Sequence, residues 1–592
     1  MILGSLVSYY EALAQKGELK RSGWEHVPVG YAIYLRQDGS VRAVVSLKKE
    51  EVRGEKTVLV SPKLNVPEQV VRTSGKKPNF MCDTAAFLLG LATKDKQAAE
   101  KYEKAKALHL DILGGVDSDA ARTVCRFFEN HTPEKVAALG LPEGVLADLG
   151  KGNRLTFADE DGHYLMDDSA VGGAWDAHYG GDADAPRGRC LVTGEETEIA
   201  VLHNRIKGVM GAKSSGASLV SFNQRSFESY GKEGGQGRNA PVGRYAMYAY
   251  TTALNRLLSG RHCTRMGDDI TVVWWTLDAD EASEDLFGDM MFGESDDVAI
   301  RTAVEKLSHG EFTELEEERL RKPFCVLGLS PNASRLSVRF FYRNTFGSML
   351  SHIAAHYRRL AIEGERRCLT PYSLAMETLP PALRETKDEG DLQGNNKKDK
   401  AISSAFGGAL LSAILNDQRY PEMLYSSVLT RARAEREVTP AKAAIIKAYL
   451  LKNTENTNFK EVLTMALNEE STNRAYVLGR LFAALETAQY NANKNNANKT
   501  NLRERYLASA CATPGLVFPR MIQTAVHHTA KSGSVADEKL IGELLDKLDG
   551  SKPFPARLSI VEQGLFLEGY YHQVQKKFRD IENNKKKEEE RS

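Results

Sequence analysis

The sequence predicts an α+β fold, with a large mixed α/β N-terminal body followed by an all-α C-terminal helical bundle. Stretches in which apolar and polar residues alternate, as in half-buried strands, are confined to the first two thirds of the chain. After residue 400, apolar residues recur every three or four positions, which is typical of amphipathic helices. The chain has 592 residues, of which 42% are hydrophobic, and is therefore long enough to form several such units.

The first clear element of the N-terminal body is a β-hairpin. Residues 29–35 and 41–47 alternate in polarity around Asp38-Gly39, a dipeptide that tolerates the positive φ of a tight turn. By the same criteria, further strands are predicted at 57–60, 189–192, 198–202, 270–277, 324–329 and 336–342, and helices at 83–92 and 242–258.

Residues 278–297 contain nine acidic residues and no basic residue, and they are interrupted by Gly288 and Gly293. Charge at this density suits solvent better than a packed core. We expect an exposed loop here, with an acidic docking face for a basic partner as the alternative.

A change in composition predicts a boundary at residues 380–400, where almost nothing is apolar. We interpret these residues as a linker or mobile loop between the body, residues 1–379, and the bundle, residues 401–592. In the bundle, helices are predicted at 402–415, 422–435, 440–452, 472–492, 502–512, 519–531, 535–548 and 559–582. Typical helix starts are Thr439 before Pro440, and Ser559 with Glu562.

Several classes of protein are disfavoured by the sequence. The seven cysteines are far apart and no two form a C-x-x-C pair, so neither a zinc ribbon nor a disulfide framework is expected. No apolar run approaches the roughly 18 residues that a membrane span needs, and the N-terminus lacks a basic leader region; we expect a cytoplasmic protein. The glycine-rich strings lack the context of a nucleotide-binding loop, and the histidine pairs lack partners at metal-ligand spacing, so we expect no cofactor and no metal.

The segment from residue 205 to residue 241 is rich in Gly, Ser, Asn and Gln. The whole chain has 79 basic and 79 acidic residues, so an electrostatic argument must be regional. Residues 201–265 contain ten Lys or Arg and two acidic residues, a net charge of +8. Such a segment can hold phosphates, while its polar side chains can reach base edges and its glycines permit close approach. It indicates contact with nucleic acid.

Four strings together resemble the large subunit of type I-C CRISPR surveillance complexes, the Csd-type Cascade large subunit. The strings lie in both halves of the chain and in the expected order, and none is a generic fold signature. They are RTSGKKPNFMCDTAAFLLG at 72–90, CLVTGEETEIAVLHNRIKGVMGAKSSGASLVSFNQRSFESYGKEGGQGRNAPV at 190–242, AYVLGRLFAALETAQ at 475–489, and FPARLSIVEQGLFLEGYYHQ at 554–573.

The resemblance implies a non-catalytic subunit of an RNA-guided antiviral complex. Such a subunit recognises the short protospacer-adjacent motif (PAM) in duplex DNA, helps to open the strands into an R-loop, and supports recruitment of the helicase-nuclease that cleaves the target. The implied partners are double-stranded target DNA, the displaced single strand, CRISPR RNA, and the backbone, guide-handle-binding and small subunits of Cascade.

Within that function, the central segment supplies the candidate PAM readers. Side chains with hydrogen-bond donors and acceptors are the candidates for base edges: Ser214, Ser215, Ser218, Asn223, Gln224, Gln236 and Asn239. The candidates for phosphates are Lys213, Arg225, Lys232 and Arg238. Tyr230 or Phe227 would stack on an unpaired base. For each polar residue, a turn or loop-capping role is the alternative.

An earlier loop, residues 72–79, is a candidate second duplex contact, with an ordinary solvated loop as the alternative. Its candidate residues are Arg72, Ser74, Lys76, Lys77 and Asn79.

The resemblance also implies that the C-terminal part acts as the small subunit, or is separately produced as one. Met465 precedes the AYVLGRLFAALE string and is a candidate internal start, so that about 465–592 would be that subunit. A track for the displaced strand is predicted on its basic residues, Arg474, Arg480, Lys494, Lys499, Arg503, Arg505 and Arg520.

Two other functions remain open. A metal-dependent nuclease or guide-RNA processing subunit would need metal ligands, for which Asp268-Asp269 is the candidate pair, but no accompanying lysine or histidine motif is present. The third hypothesis is that the protein is a nucleic-acid scaffold that acts without a guide. We predict a binding protein and not an enzyme.

Overall fold

The computed structural model describes the chain except for residues 20–22, 54–55, 71–75, 93–96, 180–185, 223, 228–236, 294–301, 303, 307–313, 366, 385–400, 456–458, 494–500 and 590–592. The α+β fold class is confirmed: the described strands lie between residues 24 and 345, and the described elements after residue 345 are helices. The chain divides into two compact units. Unit 1 consists of Met1–Asn204 and Val220–Ala253, and unit 2 of Arg205–Leu219 and Leu254–Ser592.

Unit 1 contains ten described strands and six described helices. The strands are β1 (Trp24–Pro28), β2 (Tyr31–Leu35), β3 (Val41–Ser46), β4 (Lys49–Arg53), β5 (Lys56–Val60), β6 (Lys63–Pro67), β7 (Cys82–Thr84), β8 (Arg154–Ala158), β9 (Arg187–Arg189) and β10 (Glu196–Glu198). The helices are α1 (Ile2–Gln15), α2 (Ala85–Leu88), α3 (Ala98–Leu113), α4 (Asp119–Asn130), α5 (Glu143–Leu149) and α6 (Ser169–Tyr179). Helix α7 (Arg244–Ser259) begins with residues of unit 1.

The predicted hairpin is confirmed as β2 and β3, which form one side of the main sheet of unit 1, whose strand order is β3-β2-β8-β7. Strand β2 pairs antiparallel with β3 and parallel with β8. Gly39 in the turn has φ +80°, and a Cβ there would lie 2.4 Å from the backbone nitrogen of Phe127. The turn therefore requires glycine both for its conformation and for its close contact with α4.

The sheet of unit 2 is built from four antiparallel strands, β11 (Cys263–Met266), β12 (Ile270–Thr276), β13 (Pro323–Asn332) and β14 (Arg335–Thr345), in sequence order. All seven residues of β12 are buried, so this strand is covered on both faces.

The acidic segment of unit 2 is not the exposed loop that the sequence analysis predicts. Most of it forms helix α8 (Glu281–Phe292), in which Phe287, Met290 and Met291 are buried, while residues 294–297 lie outside the described residues. Glu284 is fully buried as well, and its carboxylate accepts hydrogen bonds from the backbone nitrogen and hydroxyl of Thr276 at 2.9 and 2.8 Å. The prediction was wrong because it considered only the number of acidic residues and overlooked apolar residues at helical spacing.

The remaining helices of unit 2 surround the sheet and form the bundle. They are α9 (Glu314–Arg321), α10 (Phe346–Leu360), α11 (Pro371–Met376), α12 (Pro381–Arg384), α13 (Ser404–Leu415), α14 (Glu422–Glu435), α15 (Pro440–Asn453), α16 (Arg474–Ala492), α17 (Leu502–Ala512), α18 (Pro514–Ser532), α19 (Val535–Asp546) and α20 (Ile560–Glu589). No helix in the described part of the chain is long and apolar enough to cross a membrane.

The helix starts predicted in the bundle are confirmed by hydrogen bonds. The Thr439 side chain accepts from the backbone nitrogen of Lys442 at 3.2 Å. At the start of α20, the backbone nitrogen of Ser559 donates to the Glu562 carboxylate at 2.8 Å, and the Ser559 hydroxyl accepts in return at 3.3 Å.

The bundle and the sheet of unit 2 share one hydrophobic core, which includes Val272 and Phe340 of the sheet with Leu478 and Phe566 of the bundle. The division predicted at 380–400 thus differs from that in the structure, which falls near residues 204, 219 and 253. Of the predicted linker, residues 385–400 lie outside the described residues.

Candidate nucleic-acid interface

The basic segment begins in unit 2 with a loop, residues 205–219, that the rest of the unit holds in place. Ile206 and Ala217 are buried and exchange two backbone hydrogen bonds of 2.8 and 2.9 Å across the base of the loop. Midway along the loop, the backbone nitrogen of Met210 donates to the hydroxyl of Thr271 on β12 at 2.9 Å. Hydrogen bonds therefore hold the loop in place both at its base and at its middle.

Helix α7 supplies a further anchor through Asn255. The Asn255 side chain accepts from the backbone nitrogen of Lys207 at 2.8 Å and donates to the carbonyl of Arg205 at 3.1 Å. The sequence analysis missed both Asn255 and Thr271, because nothing in the sequence around either residue shows that it contacts a loop about 50 residues or more away.

The predicted base reader Ser218 is instead part of this support. It is buried, its backbone nitrogen donates to the carbonyl of Ser334 at 3.1 Å, and its carbonyl accepts from Leu336 at 3.0 Å. Ser218 therefore extends the edge of the sheet next to β14, and we withdraw it from the candidate readers.

The tip of the loop is a tight turn, the 213–216 turn, closed by a hydrogen bond of 2.8 Å from the Gly216 nitrogen to the Lys213 carbonyl. Gly216 has φ +87°, and a Cβ at this position would lie 2.8 Å from the Ile206 carbonyl oxygen. Glycine is therefore required to fold the tip back onto its own base. The side chains that the tip exposes are those of Lys213, Ser214 and Ser215.

The charge of the loop is wholly basic, because residues 205–219 contain three basic residues and no acidic one. Lys207 and Lys213 are exposed and form no ion pair with a carboxylate of the described residues. The Arg205 guanidinium lies 3.5 Å from the carbonyl oxygen of Ser334. An exposed cation that no protein carboxylate neutralises is available to a phosphate.

The second part of the segment belongs to unit 1 and is described only in places. Arg225–Phe227 forms one 3-10 turn, and Gln224 and Arg238 are exposed. Asn239 is half-buried, and its amide nitrogen donates to the carbonyl of Phe227, so this donor is already used within the protein. The predicted contacts that lie outside the described residues are Asn223, Tyr230, Lys232 and Gln236, together with the side chain of Arg225.

The earlier predicted contact, the loop at 72–79, also lies in unit 1. Arg72 and Ser74 are outside the described residues, and Lys77 is exposed. Lys76 forms an ion pair of 2.8 Å with Glu100, so its charge is partly neutralised.

Asn79 in this loop has a structural role. It is 5% exposed, its amide nitrogen donates to Gln69 Oε1 at 2.7 Å, and its amide oxygen accepts from the backbone nitrogen of Val70 at 2.9 Å. Both ends of the amide are therefore occupied, and we withdraw Asn79 from the candidate contacts.

In the bundle, the structure separates the basic residues predicted to track the displaced strand. Arg480 is 3% exposed, and its guanidinium donates to Gln573 Oε1 at 3.0 Å and to the carbonyls of Asn468 and Glu469 at 3.2 and 2.9 Å. Arg480 therefore ties the loop before α16 to α20. It is withdrawn from the track.

The other residues of the predicted track differ in exposure and pairing. Arg503 lies 3.8 Å from Glu486, and Arg474 lies 3.6 Å from Glu562. The exposed members without an ion pair to the described residues are Arg505 and Arg520. Lys494 and Lys499 lie outside the described residues.

Among the described residues, one group of side chains has the spacing of metal ligands: Asp159, Asp161 and His163. The Asp159 carboxylate accepts from the backbone nitrogens of Asp161 and His163 at 3.0 and 2.8 Å. This is the ordinary arrangement of an Asp-stabilised turn, and we assign it no ligand.

A comparison with models of protein families matches residues 6–578 to one family, described as CRISPR-associated protein (Cas_Csd1). A search of curated proteins finds no match. The family match covers nearly the whole chain and includes every residue of the 205–219 loop.

Proposed function

The chain belongs to the CRISPR-associated Csd1 family of type I-C large subunits, and on this premise we propose that it recognises the PAM in duplex DNA within an RNA-guided surveillance complex. CRISPR RNA and the other subunits of that complex are its expected partners, and opening of the target into an R-loop follows recognition.

The observation that carries this proposal is the exposed 213–216 turn. Its backbone is fixed by the hydrogen bonds of the 205–219 loop, and Lys213 lacks a carboxylate partner among the described residues. A fixed turn loses little conformational entropy when it binds, and an unpaired lysine releases counterions when it meets a phosphate.

The turn can make two kinds of contact, one with phosphates and one with bases. Lys213 would hold a phosphate, which positions the protein without reading sequence, while Ser214 and Ser215 are short enough to reach base edges from a closely approaching backbone. In the narrow minor groove such contacts separate A·T from G·C pairs and little more, so the expected PAM stringency is modest. Base pairing with the guide reads the rest of the target.

The test is binding of duplex DNA, with good and poor PAM sequences, by the assembled complex across a range of salt concentrations. Lys213→Ala should weaken binding to both duplexes and lower the salt slope by about 0.9 for the one lost phosphate contact. The double variant Ser214→Ala with Ser215→Ala should instead reduce the preference for the good PAM.

Lys539→Ala is the matched control, because Lys539 is an exposed lysine of α19 that already pairs with Glu543 at 3.8 Å. It should leave affinity, salt slope and preference unchanged. If Lys213→Ala behaves like this control, and the serine double variant keeps the full preference, PAM recognition by the turn is refuted.

We further propose that the bundle supports the displaced strand through Arg505 and Arg520, the exposed basic residues of its described track. The interaction would be with backbone charge and not with sequence. Production of residues 465–592 as a separate small subunit would begin at Met465, which is exposed in the loop before α16. Met465→Leu should remove such a short product, and its persistence would place the start elsewhere.

We propose that the protein itself does not cleave nucleic acid. In the candidate metal pair, Asp269 is held by Arg339 at 2.9 Å, so one of the two carboxylates is already neutralised. Purified protein with Mg²⁺ or Mn²⁺ should leave labelled DNA and RNA intact. Cleavage that Asp268→Ala abolishes would contradict the proposal.

A further inference from the structure

Unit 1 contains a cavity of about 620 Å³, far larger than a single water molecule needs. Its walls come from α1, the end of α6, β10 and the start of α7. None of its lining residues belongs to the interface described above. The lining residues used below are Tyr179, Glu198, Arg244 and Tyr245.

An ion pair forms part of the polar wall, which also includes Gln15, Asp176 and Thr197. The Arg244 guanidinium donates to Glu198 Oε1 at 2.9 Å. Glu198 is only 7% exposed, and its second carboxylate oxygen, Oε2, is buried without a hydrogen-bond partner among the described residues. A buried acceptor without a donor is unfavourable, so a ligand that supplies an N–H group would relieve a cost already present in the folded protein. Glu198 is among the residues that line the cavity, so a ligand there lies next to its carboxyl group.

Two tyrosines of the wall lie close to this ion pair, Tyr179 and Tyr245. The Arg244 guanidinium lies over the ring of Tyr179, 5.1 Å from its centroid, which is a cation–π contact. Tyr245 follows Arg244 on α7 and is 43% exposed, while its hydroxyl donates to Glu11 at 3.1 Å. The cavity therefore offers a partly exposed ring beside an acceptor and a donor.

This combination selects a planar ligand with a donor edge next to an acceptor. Guanine carries N1–H and N2–H donors directly beside its O6 acceptor, so the donors match Glu198 and O6 matches a remaining N–H of Arg244. Adenine has only the N6 amino donor beside its N1 acceptor, so it lacks the two neighbouring donors that would face Glu198. A flat base can also stack on Tyr245, as unpaired bases do on exposed aromatic side chains.

We propose that this cavity binds the guanine base of an unpaired nucleotide, held by Glu198 and Arg244 and stacked on Tyr245. The wall also holds the carboxylate of Asp176, which accepts a hydrogen bond from Trp24 Nε1 at 3.0 Å. A guanidinium from a protein partner is therefore the competing occupant, and the peptide probe below tests it. The base can come from RNA or from DNA, since the residues named contact no sugar.

The test measures binding of the full chain to labelled pentanucleotides by fluorescence anisotropy. The probes are UUGUU, UUAUU and UUIUU, where I is inosine, and the deoxy forms TTGTT and TTATT. We expect UUGUU or TTGTT to bind about tenfold more tightly than its adenine counterpart, with inosine between them because it lacks the N2 amino group. Binding of phosphates by basic loops is common to all probes and cancels in the ratio.

Glu198→Gln should remove most of the guanine preference, and Tyr245→Ala should weaken binding of the guanine probes severalfold. The ring of Tyr245 is partly exposed, so Tyr245→Ala keeps the test decisive if Glu198→Gln fails to fold. Tyr490→Ala, at an exposed tyrosine of the bundle, is the matched control and should leave the guanine preference intact.

A stronger response to RNA would assign the base to the guide, and a stronger response to DNA would assign it to the target; either supports the proposal. Equal binding of guanine and adenine probes would overturn it, as would a preference that neither variant changes. Saturable binding of an acetylated Gly-Arg-Gly amide, lost in Glu198→Gln and without a guanine preference, would also overturn it in favour of a protein partner. No probe contains a PAM duplex, so failure here leaves PAM recognition by the 213–216 turn untouched.

Discussion

The 213–216 turn and the bundle both belong to unit 2, and their basic residues have different surroundings. In the 213–216 turn, Lys213 is exposed and has no carboxylate partner among the described residues. In the bundle, Lys442 is buried against Glu435, Lys447 donates to the carbonyls of Arg359 and Ala361, and Arg480 is buried against backbone carbonyls.

The difference shows that a count of lysines and arginines does not locate a nucleic-acid interface. A cation that already satisfies acceptors within the protein stabilises the fold, and it would have to give up those hydrogen bonds to meet a phosphate. A cation held in solvent on a fixed turn gives up only water and counterions. Exposure and pairing, and not charge alone, therefore distinguish a basic residue that stabilises the fold from one that is available to a phosphate.

The largest expected effect comes from Arg480→Ala. Loss of the buried guanidinium leaves the buried Gln573 Oε1 without this donor and removes the hydrogen bonds to the carbonyls of Asn468 and Glu469. We therefore expect the free energy of unfolding to fall by about 3 kcal/mol. Arg505→Ala, at an exposed residue of α17, is the matched control and should change stability by less than about 0.5 kcal/mol. Denaturant unfolding measures both. Equal stabilities of the two variants would show that Arg480 is not structural.

A smaller effect is expected from the buried carboxyl of Glu568 in α20. Burial raises its pKa to about 8, although the nearby Lys447 opposes the shift. His572 lies 3.8 Å from Glu568, and burial lowers the pKa of His572 to about 4. The folded protein therefore keeps a proton on Glu568 that the unfolded chain releases above about pH 4.3. The stability that this group contributes is complete below that pH and is lost as the pH rises toward 8.

Glu568→Gln should remove this dependence. Between pH 5 and pH 7, the native protein should lose about 2.5 kcal/mol of unfolding free energy relative to the variant, since each of the two pH units corresponds to at most about 1.4 kcal/mol. Other titrating groups are common to both proteins and cancel in the difference. Parallel pH profiles of the two proteins would refute a protonated Glu568.

The smallest effect on stability is expected from Gly216→Ala, which acts on the turn alone. The positive φ and the short distance to the Ile206 carbonyl should cost about 1–2 kcal/mol, confined to the loop, and should weaken duplex binding by displacing Lys213. Gly542→Ala is the matched control, because Gly542 lies in α19 with open space around it and alanine favours helix there. Duplex binding that survives Gly216→Ala at full strength would show that the shape of the turn is irrelevant.

Local elements of the fold were predictable, because helical periodicity and capping depend only on residues that are close in the sequence. The predicted helices at 422–435 and 502–512 agree with α14 and α17 at both ends. The core that joins the sheet to the bundle was not predictable, because it brings together in one cluster residues such as Val272 and Phe566 that are far apart in the chain.

For the candidate site, too, the segment was predictable from the sequence and its long-range contacts were not. The composition of residues 205–241 indicated contact with nucleic acid, yet it gave no sign that Thr271 and Asn255 fix the 205–219 loop in place. Likewise, Asn79 and Arg480 have the right side chains for nucleic acid, and only their distant hydrogen-bond partners show that they are structural.

The most direct test of the central claim is photocrosslinking from the PAM in the assembled, guide-loaded complex. A target duplex with a photoreactive base at each PAM position would be irradiated, and the attached peptides identified by mass spectrometry. We predict crosslinks to residues 213–216, lost when the PAM is replaced by a poor one. Crosslinks that fall only on other parts of the protein, with the turn unlabelled at every PAM position, would contradict the account.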